Sequence, residues 1–523
     1  MDLIQLLLLS ALFLFSVSYF LTKLLIYPKN KKRLAPMAAG AWPFIGHLRA
    51  FDNGHPTHVT FGALADVYGP VFMTKLGSRN TLIINSQDVA KEIFTVHAKF
   101  WNRPVITASK LLGYNGSFIT FTTKRPYWEE MRKVAVSKIL FTAVAEMQYS
   151  RAGEVDVAFR DLFRKWEQKG GPQNGVLVDM RQELIDLVHN ISLMMVAGKR
   201  YFGASPNCEI EEARRCKKML QDFIHYFEIF LFSDWAPRFS WLDWKIKRGM
   251  KRNAGELDKV VEGWVEEHKK KRKDSGGGGR EKNYLDRLIE IFEQDKNPGL
   301  DDAHTITKAL CLNLVLAGPE ATTAVLIWAV SVLVNNPDVL RKAQEEINRT
   351  VGKDRVVKES DLKDLVYLHA VIKETFRLYP PVTLTVSREV TEDFDIANGN
   401  IHVPAGTLLL HNVWKIQRDP SLWSNPENFE PERFLTSDRE VDFGGKTYKF
   451  FPFGLGRRAC PAIPLGMRMV QYILARFLQS FDVARPSSQD VDMTGNSGAV
   501  NLKTTPLELF ITPRLPRSLY QMD

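Results

Sequence analysis

The sequence predicts a mainly α-helical protein with a small β-rich lobe, carried behind a single N-terminal transmembrane helix. Three observations lead there: an uncharged apolar run at the start, a strand-like stretch at 69–86, and long helical patterns from about residue 126 onward. With 523 residues, 45% hydrophobic and 25% charged, the chain is composed like an ordinary globular protein and can bury a large core.

The opening run, LIQLLLLSALFLFSVSYFL at 3–21, carries no charge. As a helix it spans about 28 Å at roughly 1.5 Å per residue, close to a hydrocarbon core of about 30 Å. A cleaved signal peptide is the alternative. No small-residue cleavage site follows, however; Lys23, Lys29, Lys31, Lys32 and Arg33 do. Basic residues on the C-terminal side put the bulk of the chain in the cytosol. We assign 1–27 to the anchor, 28–46 to a basic, proline-containing hinge with Pro36 and Pro43, and 47–523 to one domain. The stretch GPVFMTKLGSRNTLIINS (69–86) is rich in β-branched and aromatic residues between turn signals, so a small sheet lies near the N-terminus.

The longest apolar helical segment of the body is 301–337. Asn313, Pro319, Glu320, Thr322 and Thr323 cluster at its middle, where lipid would penalise them. That pattern fits a core helix facing a cavity better than a second membrane span. ESDLKDLVYLHAVIKETFRLYPP (359–381) reads as another helix, with Ser360 as N-cap and Pro380–Pro381 as its stop. Glu374 and Arg377 lie on neighbouring positions of one face and can pair, taken alone an ordinary surface bridge.

A net charge of +10 is dispersed apart from HKKKRKD at 268–274, which reads as a solvated helix end before SGGGG, and no nucleic-acid motif appears. Of four scattered cysteines, one has a special setting: Cys460 in FPFGLGRRACPAIPLG (451–466), just before an apolar helical pattern. A helix N-terminus and the cations Arg457 and Arg458 favour its thiolate, while Gly454 and Gly456 allow a tight loop. Such a thiolate suits axial ligation of haem iron, although a redox or merely buried cysteine is commoner.

Four motifs in order carry a resemblance that covers essentially the whole chain: WEEMR (128–132), ETFR (374–377), PERF (431–434) and FGLGRRAC (453–460). With them the sequence resembles the plant microsomal cytochrome P-450 monooxygenases, and GAWPFIGHL, DLKDLVYLHAVIKE and FEPERF resemble family eighty-two, which contains nicotine demethylase. The resemblance implies the cytochrome P-450 fold and haem b ligated by Cys460. It implies that Trp128, Arg132, Arg388, Arg458 and Phe453 contact the haem, and that Arg433 joins Glu374 and Arg377 in a buried network. It further implies electrons from NADPH through cytochrome P-450 reductase docked on Lys124, Arg125 and Lys133, and single-pass residence in the endoplasmic reticulum membrane with no obligate oligomer. The pocket it implies is lined by Phe118, Phe121, Asn313, Leu316, Ala317, Ala321, Val382, Leu384, Val386 and Val500, for a small-molecule substrate.

Two positions depart from the family. Ala462 replaces a glycine two residues after the ligand. In AGPEATT (317–323), Ala321 stands where a threonine hydrogen-bonds dioxygen, beside Pro319, which should kink the helix. Either Thr322 rotates into the missing position, or Glu320 relays protons through water, or a polar group of the substrate orders that water; the third also accounts for tolerance of the loss. The implied reaction is oxidation of a nitrogen heterocycle in alkaloid formation, at its narrowest the oxidative closure of 4-(1-methyl-2-pyrrolidinyl)-3-oxobutanoate to tropinone. Terpenoid or flavonoid hydroxylation, and a dioxygen-independent rearrangement or dehydration, are the alternatives.

Overall fold

The computed structural model describes residues 33–521 apart from 52–53, 124, 172–174, 204–206, 230, 275–281, 295–302 and 497. The anchor at 1–27, the first part of the hinge and Lys124 therefore lie outside the described residues.

The strand-like stretch at 69–86 forms a hairpin of β1 (Val71–Leu76) and β2 (Arg79–Ile84). Gly77 turns it at φ +61°, a left-handed conformation that favours glycine; a Cβ there would lie 2.2 Å from the carbonyl oxygen of Trp235. The hairpin continues into a five-stranded sheet, β1-β2-β8-β5-β3, with β3 (Trp101–Asn102), β5 (Arg388–Val390) and β8 (Leu408–His411). Strands β4 (Val176–Asp179), β9 (Phe481–Ala484) and β10 (Glu508–Pro513) form a separate antiparallel sheet, and β6 (Phe394–Ile396) pairs with β7 (Ile401–Val403). Residues 33–46, the described part of the segment assigned to the hinge, are bound to the body. They are stitched to these strands through Met73 N–H to Pro36, Ala38 N–H to Met73 and His402 N–H to Arg33.

The larger layer is helical. Its first half contains α1 (Arg125–Lys133), α2 (Gln148–Gln168), α3 (Met180–Ala197), α4 (Ile210–Glu228) and α5 (Trp244–Asp274). Its second half contains α6 (Tyr284–Gln294), α7 (Ala303–Asn335), α8 (Pro337–Thr350), α9 (Val366–Leu378) and α10 (Ile463–Ser480). At 33 residues, α7 is the one helix among the described residues long and apolar enough to cross a membrane. It is instead the axis of the core, packed on α3 and flanked by α6, α9 and α10. Residues 303–335 form one continuous helix through Pro319, so the expected kink does not break it.

Two local expectations are corrected. The helix at 359–381 is divided: a 3-10 turn at Glu359–Asp364 precedes α9. Ser360 does not cap it. The Asp361 carboxylate accepts from Lys358 N–H at 2.8 Å, and Glu346 on α8 caps α9, accepting from Tyr367 and Leu368 N–H at 2.7 and 2.9 Å. The basic run at 268–274 starts inside the protein, because His268 is fully buried against Asp286 and the Ala197 carbonyl, at 2.7 and 3.2 Å.

Candidate active site

Cys460 sits three residues before α10, in a loop turned by Gly454 and Gly456 at φ +72° and +69°. Its N–H donates to the Phe453 carbonyl at 2.9 Å, and its sulfur accepts from Ala462 N–H at 3.4 Å. Ala462 adopts φ −102°, ordinary for an L-residue, so the glycine of related chains is not needed for the backbone here. Burial pushes the Cys460 thiol up, while the Ala462 amide and the Arg132 guanidinium oppose it. The cation acting on the sulfur is thus Arg132, from α1, and not the adjacent pair. Arg457 donates to the Ala98 carbonyl; Arg458 reaches the Ile119 and Thr122 carbonyls and Asn102 Oδ1, and its guanidinium lies 4.0 Å over the Trp128 ring.

Arg388 opens β5 and is buried, stacked 4.7 Å from both the Phe94 and Trp101 rings. Its Nε and Nη1 have no hydrogen-bond partner, nor does Trp101 Nε1. Burial, with Arg458 nearby, pushes its guanidinium down to about 9. An unpaired buried guanidinium is costly, and an anionic carboxylate is what satisfies it. Above the loop, the otherwise buried α7 is exposed at Ala317 and Gly318 and half-buried at Glu320 and Ala321. A Cβ on Gly318 would meet nothing within 4 Å, so an internal cavity reaches the middle of the core helix. A sulfur in a glycine-turned loop, a buried guanidinium with unsatisfied N–H groups and a core helix left open at Gly318 fit haem with its propionates.

The acidic pattern on α7 resolves into distinct roles. Thr322 is buried and its hydroxyl donates back to the Gly318 carbonyl at 2.9 Å, so it does not rotate into the place left by Ala321. Thr323 is buried with its hydroxyl unpartnered. Glu320 faces His189 on α3, Oε1 to Nε2 3.5 Å. Nothing in the sequence points to His189, since α3 and α7 meet only in the fold.

The pocket residues come together unevenly. Phe118 stacks on Phe223 of α4 at 6.0 Å, Phe121 meets Phe227 in a tilted contact at 4.6 Å, and Phe223 and Phe227 stack at 6.0 Å, an aromatic roof. Asn313 Nδ2 donates to Thr120 Oγ1 at 3.0 Å, tying α7 to that roof. Arg103 donates to the Thr120, Val386 and Ser387 carbonyls and joins the roof to the segment after Pro381. Leu316 is buried beside Ala317, Val386 is exposed, and Val382 and Val500 are half-buried, the latter next to Asn501, whose N–H donates to the Pro381 carbonyl. Leu384 packs instead on the small cluster of Phe61, Phe72 and Ile83. Phe223, Phe227, Thr120 and Arg103 escape sequence reading; the i,i+4 phenylalanine pair is the one signal that could have suggested them.

Behind the sulfur loop, Glu374 and Arg377 are wholly buried, paired at 2.7 and 2.8 Å, with Arg433 Nε 3.1 Å from the same carboxylate. Arg377 also donates to the carbonyls of Gln417, Pro426 and Asn428. Phe453 packs against Phe376 of α9 at 5.2 Å, which links this network to the loop.

The cytochrome P-450 family pattern matches residues 36–511. Strychnine-10-hydroxylase of Strychnos nux-vomica is 40% identical over 94% of this chain and 93% of its own. Xanthotoxin 5-hydroxylase of Arabidopsis thaliana is 42% identical over 94% and 95%, and flavonoid-6-hydroxylase of Mentha piperita 39% identical over 93% of each. Among solved structures, a zebra fish cytochrome P-450 with progesterone superposes with TM-score 0.69 at 26% identity, covering 88% of this chain and all of that one.

Proposed function

The chain belongs to the cytochrome P-450 family, as a plant-type haem-thiolate monooxygenase, and from that premise we propose that it hydroxylates a planar, fused-ring secondary metabolite of the alkaloid, coumarin or flavonoid kind. The observation that carries this reading is the aromatic roof, whose half-buried Phe121 and Phe227 rings give a flat ligand apolar surface backed by the buried Phe118–Phe223 stack, with the Asn313–Thr120 pair as its polar contact. Oxidative closure to tropinone is the narrower reading. Its substrate carries a carboxylate, and the one cation named at the pocket, Arg103, is already committed to the Thr120, Val386 and Ser387 carbonyls, which favours the fused-ring class.

Cys460 would hold the haem through its thiolate, and Arg388, Arg132, Arg458 and Trp128 would meet its propionates. Haem so bound supplies dioxygen activation, with electrons from a reductase. The side chains of this chain orient the substrate under the roof, exclude water through Leu316 and Phe118, and move protons at Glu320. Exposed Lys133 supports reductase docking on that face; the side chains of Lys124 and Arg125 lie outside the described residues. Membrane residence is supported by an apolar surface on which Trp42, Phe44, Trp241 and Trp244 are 55%, 61%, 67% and 63% exposed, with Phe44 packed on Phe239 at 5.9 Å.

The test is spectral titration of the haem-loaded protein with strychnine-like alkaloids, furanocoumarins, flavones and the pyrrolidine keto acid, followed by turnover with reductase and NADPH. Tight low-to-high-spin shifts with the fused-ring set, and hydroxylated products, are expected. A shift with the keto acid alone selects tropinone formation, and product without NADPH selects the dioxygen-independent class.

A further inference from the structure

The contact between Glu320 and His189 has a chemical consequence. His189 Nδ1 lies 2.8 Å from the Ile185 carbonyl, its own helical i−4 acceptor. A carbonyl cannot donate, so Nδ1 carries the hydrogen. That leaves Nε2 to face Glu320 Oε1 at 3.5 Å. A bare ring nitrogen against a bare carboxylate would set lone pair against lone pair, whereas one proton between them makes the contact attractive. His189 is buried at its end of the pair, while Glu320 is half-buried at the cavity.

The surroundings isolate this proton. On α7, Ala321 has no hydroxyl and Thr322 is committed to the Gly318 carbonyl. The Phe202 ring lies against His189 at 4.9 Å, and Lys217 of α4 sits over the same ring at 5.1 Å. Lys217 is itself 3.7 Å from Asp186, one turn before His189 on α3. From α2, Glu154 is paired with Arg200, and from α6, Asp286 with His268, so neither competes for the imidazole.

We infer that His189 is a positioning residue that holds Glu320 and stores the proton Glu320 delivers, in place of the hydroxyl missing at Ala321. The proton passes from His189 Nε2 to Glu320 Oε1, and the N–H bond breaks as the O–H bond forms. Glu320 then gives it to a water molecule in the cavity, whose oxygen takes the proton as the Glu320 O–H bond breaks, and returns to carboxylate. The neutral imidazole regains its proton at Nε2, the one nitrogen left bare, with Nδ1 still bonded to the Ile185 carbonyl. No oxidant or reductant takes part. The inference rests on the reading of Glu320 as the proton donor.

The experiment has two arms. In the diamagnetic ferrous carbon-monoxide form, ¹⁵N-histidine labelling, with His189 assigned by its loss in His189→Gln, reports Nδ1 protonated and Nε2 perturbed by the carboxylate; Glu320→Gln shifts the Nε2 signal. In turnover, His189→Leu lowers product formed per NADPH roughly tenfold and raises the solvent isotope effect, and His189→Lys restores most of the coupling. An intact carbon-monoxide difference spectrum certifies the fold of each variant. An Nε2 signal indifferent to Glu320→Gln, or His189→Leu coupled like the parent, overturns the inference. If Glu320→Gln lowers coupling and His189→Leu does not, the His189 role alone fails. If Glu320→Gln stays coupled, the reading of Glu320 fails and the inference falls with it.

Discussion

Single side chains carry opposite burdens on the two faces of the cavity. Below it, Arg388 is a buried cation whose Nε and Nη1 lack partners, so its worth depends on an anion reaching it. Arg388→Leu should keep the fold yet lose haem, with the haem-to-protein absorbance ratio falling severalfold and haem transfer to apomyoglobin accelerating. Above it, Ala321 lies next to a pair that already shares a proton. Ala321→Thr should therefore leave product per NADPH within about twofold of the parent, measured by oxygen, NADPH and product balance. The cysteine and the glycine turns of its loop were legible in the sequence because both are local. The cation that acts on that sulfur was not: Arg457 and Arg458 are its neighbours in the chain but turn toward the carbonyls of Ala98, Ile119 and Thr122, and Arg132 faces it from another helix.

Elements are held in register by polar groups that reach across them. The carboxylate of Glu374 meets two guanidiniums inside the core, and removing it strands both. Glu374→Ala should cost roughly 3–5 kcal/mol, read as loss of folded, haem-retaining protein on expression and a lowered melting temperature. The Glu346 cap is a smaller case: Glu346→Ala leaves two α9 N–H groups unmet and should cost about 1–2 kcal/mol in chemical unfolding. The helix pattern at 359–381 was readable from its apolar spacing. Its division at Leu365 was not, because the capping carboxylate comes from α8 and leaves no trace in the local sequence. The strand content at 69–86 was readable from its β-branched and aromatic residues between turn signals, but the pairing of its two strands was not, because both are buried along most of their length and show no alternation.

At the scale of the whole molecule, α7 passes every compositional test for a membrane span and is nonetheless the core axis; the polar cluster at its middle was the correct discriminator. Buried imidazoles give the fold an acid limit. Burial pushes His58 and His369 down to about 4, helped by Arg418 and Lys373 respectively. Each folded value lies below the ordinary 6.5, so protons favour the unfolded chain; this stability is complete above pH 6.5 and is lost as pH falls to about 4. Thermal melts should drop across that window, and His58→Asn with His369→Gln should flatten the drop. The outer surface makes a separate prediction: protein lacking residues 1–32 should still bind liposomes through Trp42, Trp241 and Trp244, and Ser at all three should release it.

The backbone bonds from residues 33, 36 and 38 fix the start of the described chain to the sheets. On the proposed reading of a single-pass membrane protein, that attachment does more than keep the enzyme nearby. It would set the lean at which the body rests on the bilayer, and with it which rim of the cavity draws ligand from lipid and which from water. Splicing a supple spacer after residue 32 should leave chemistry on water-borne substrates untouched while slowing capture of those dissolved in the membrane.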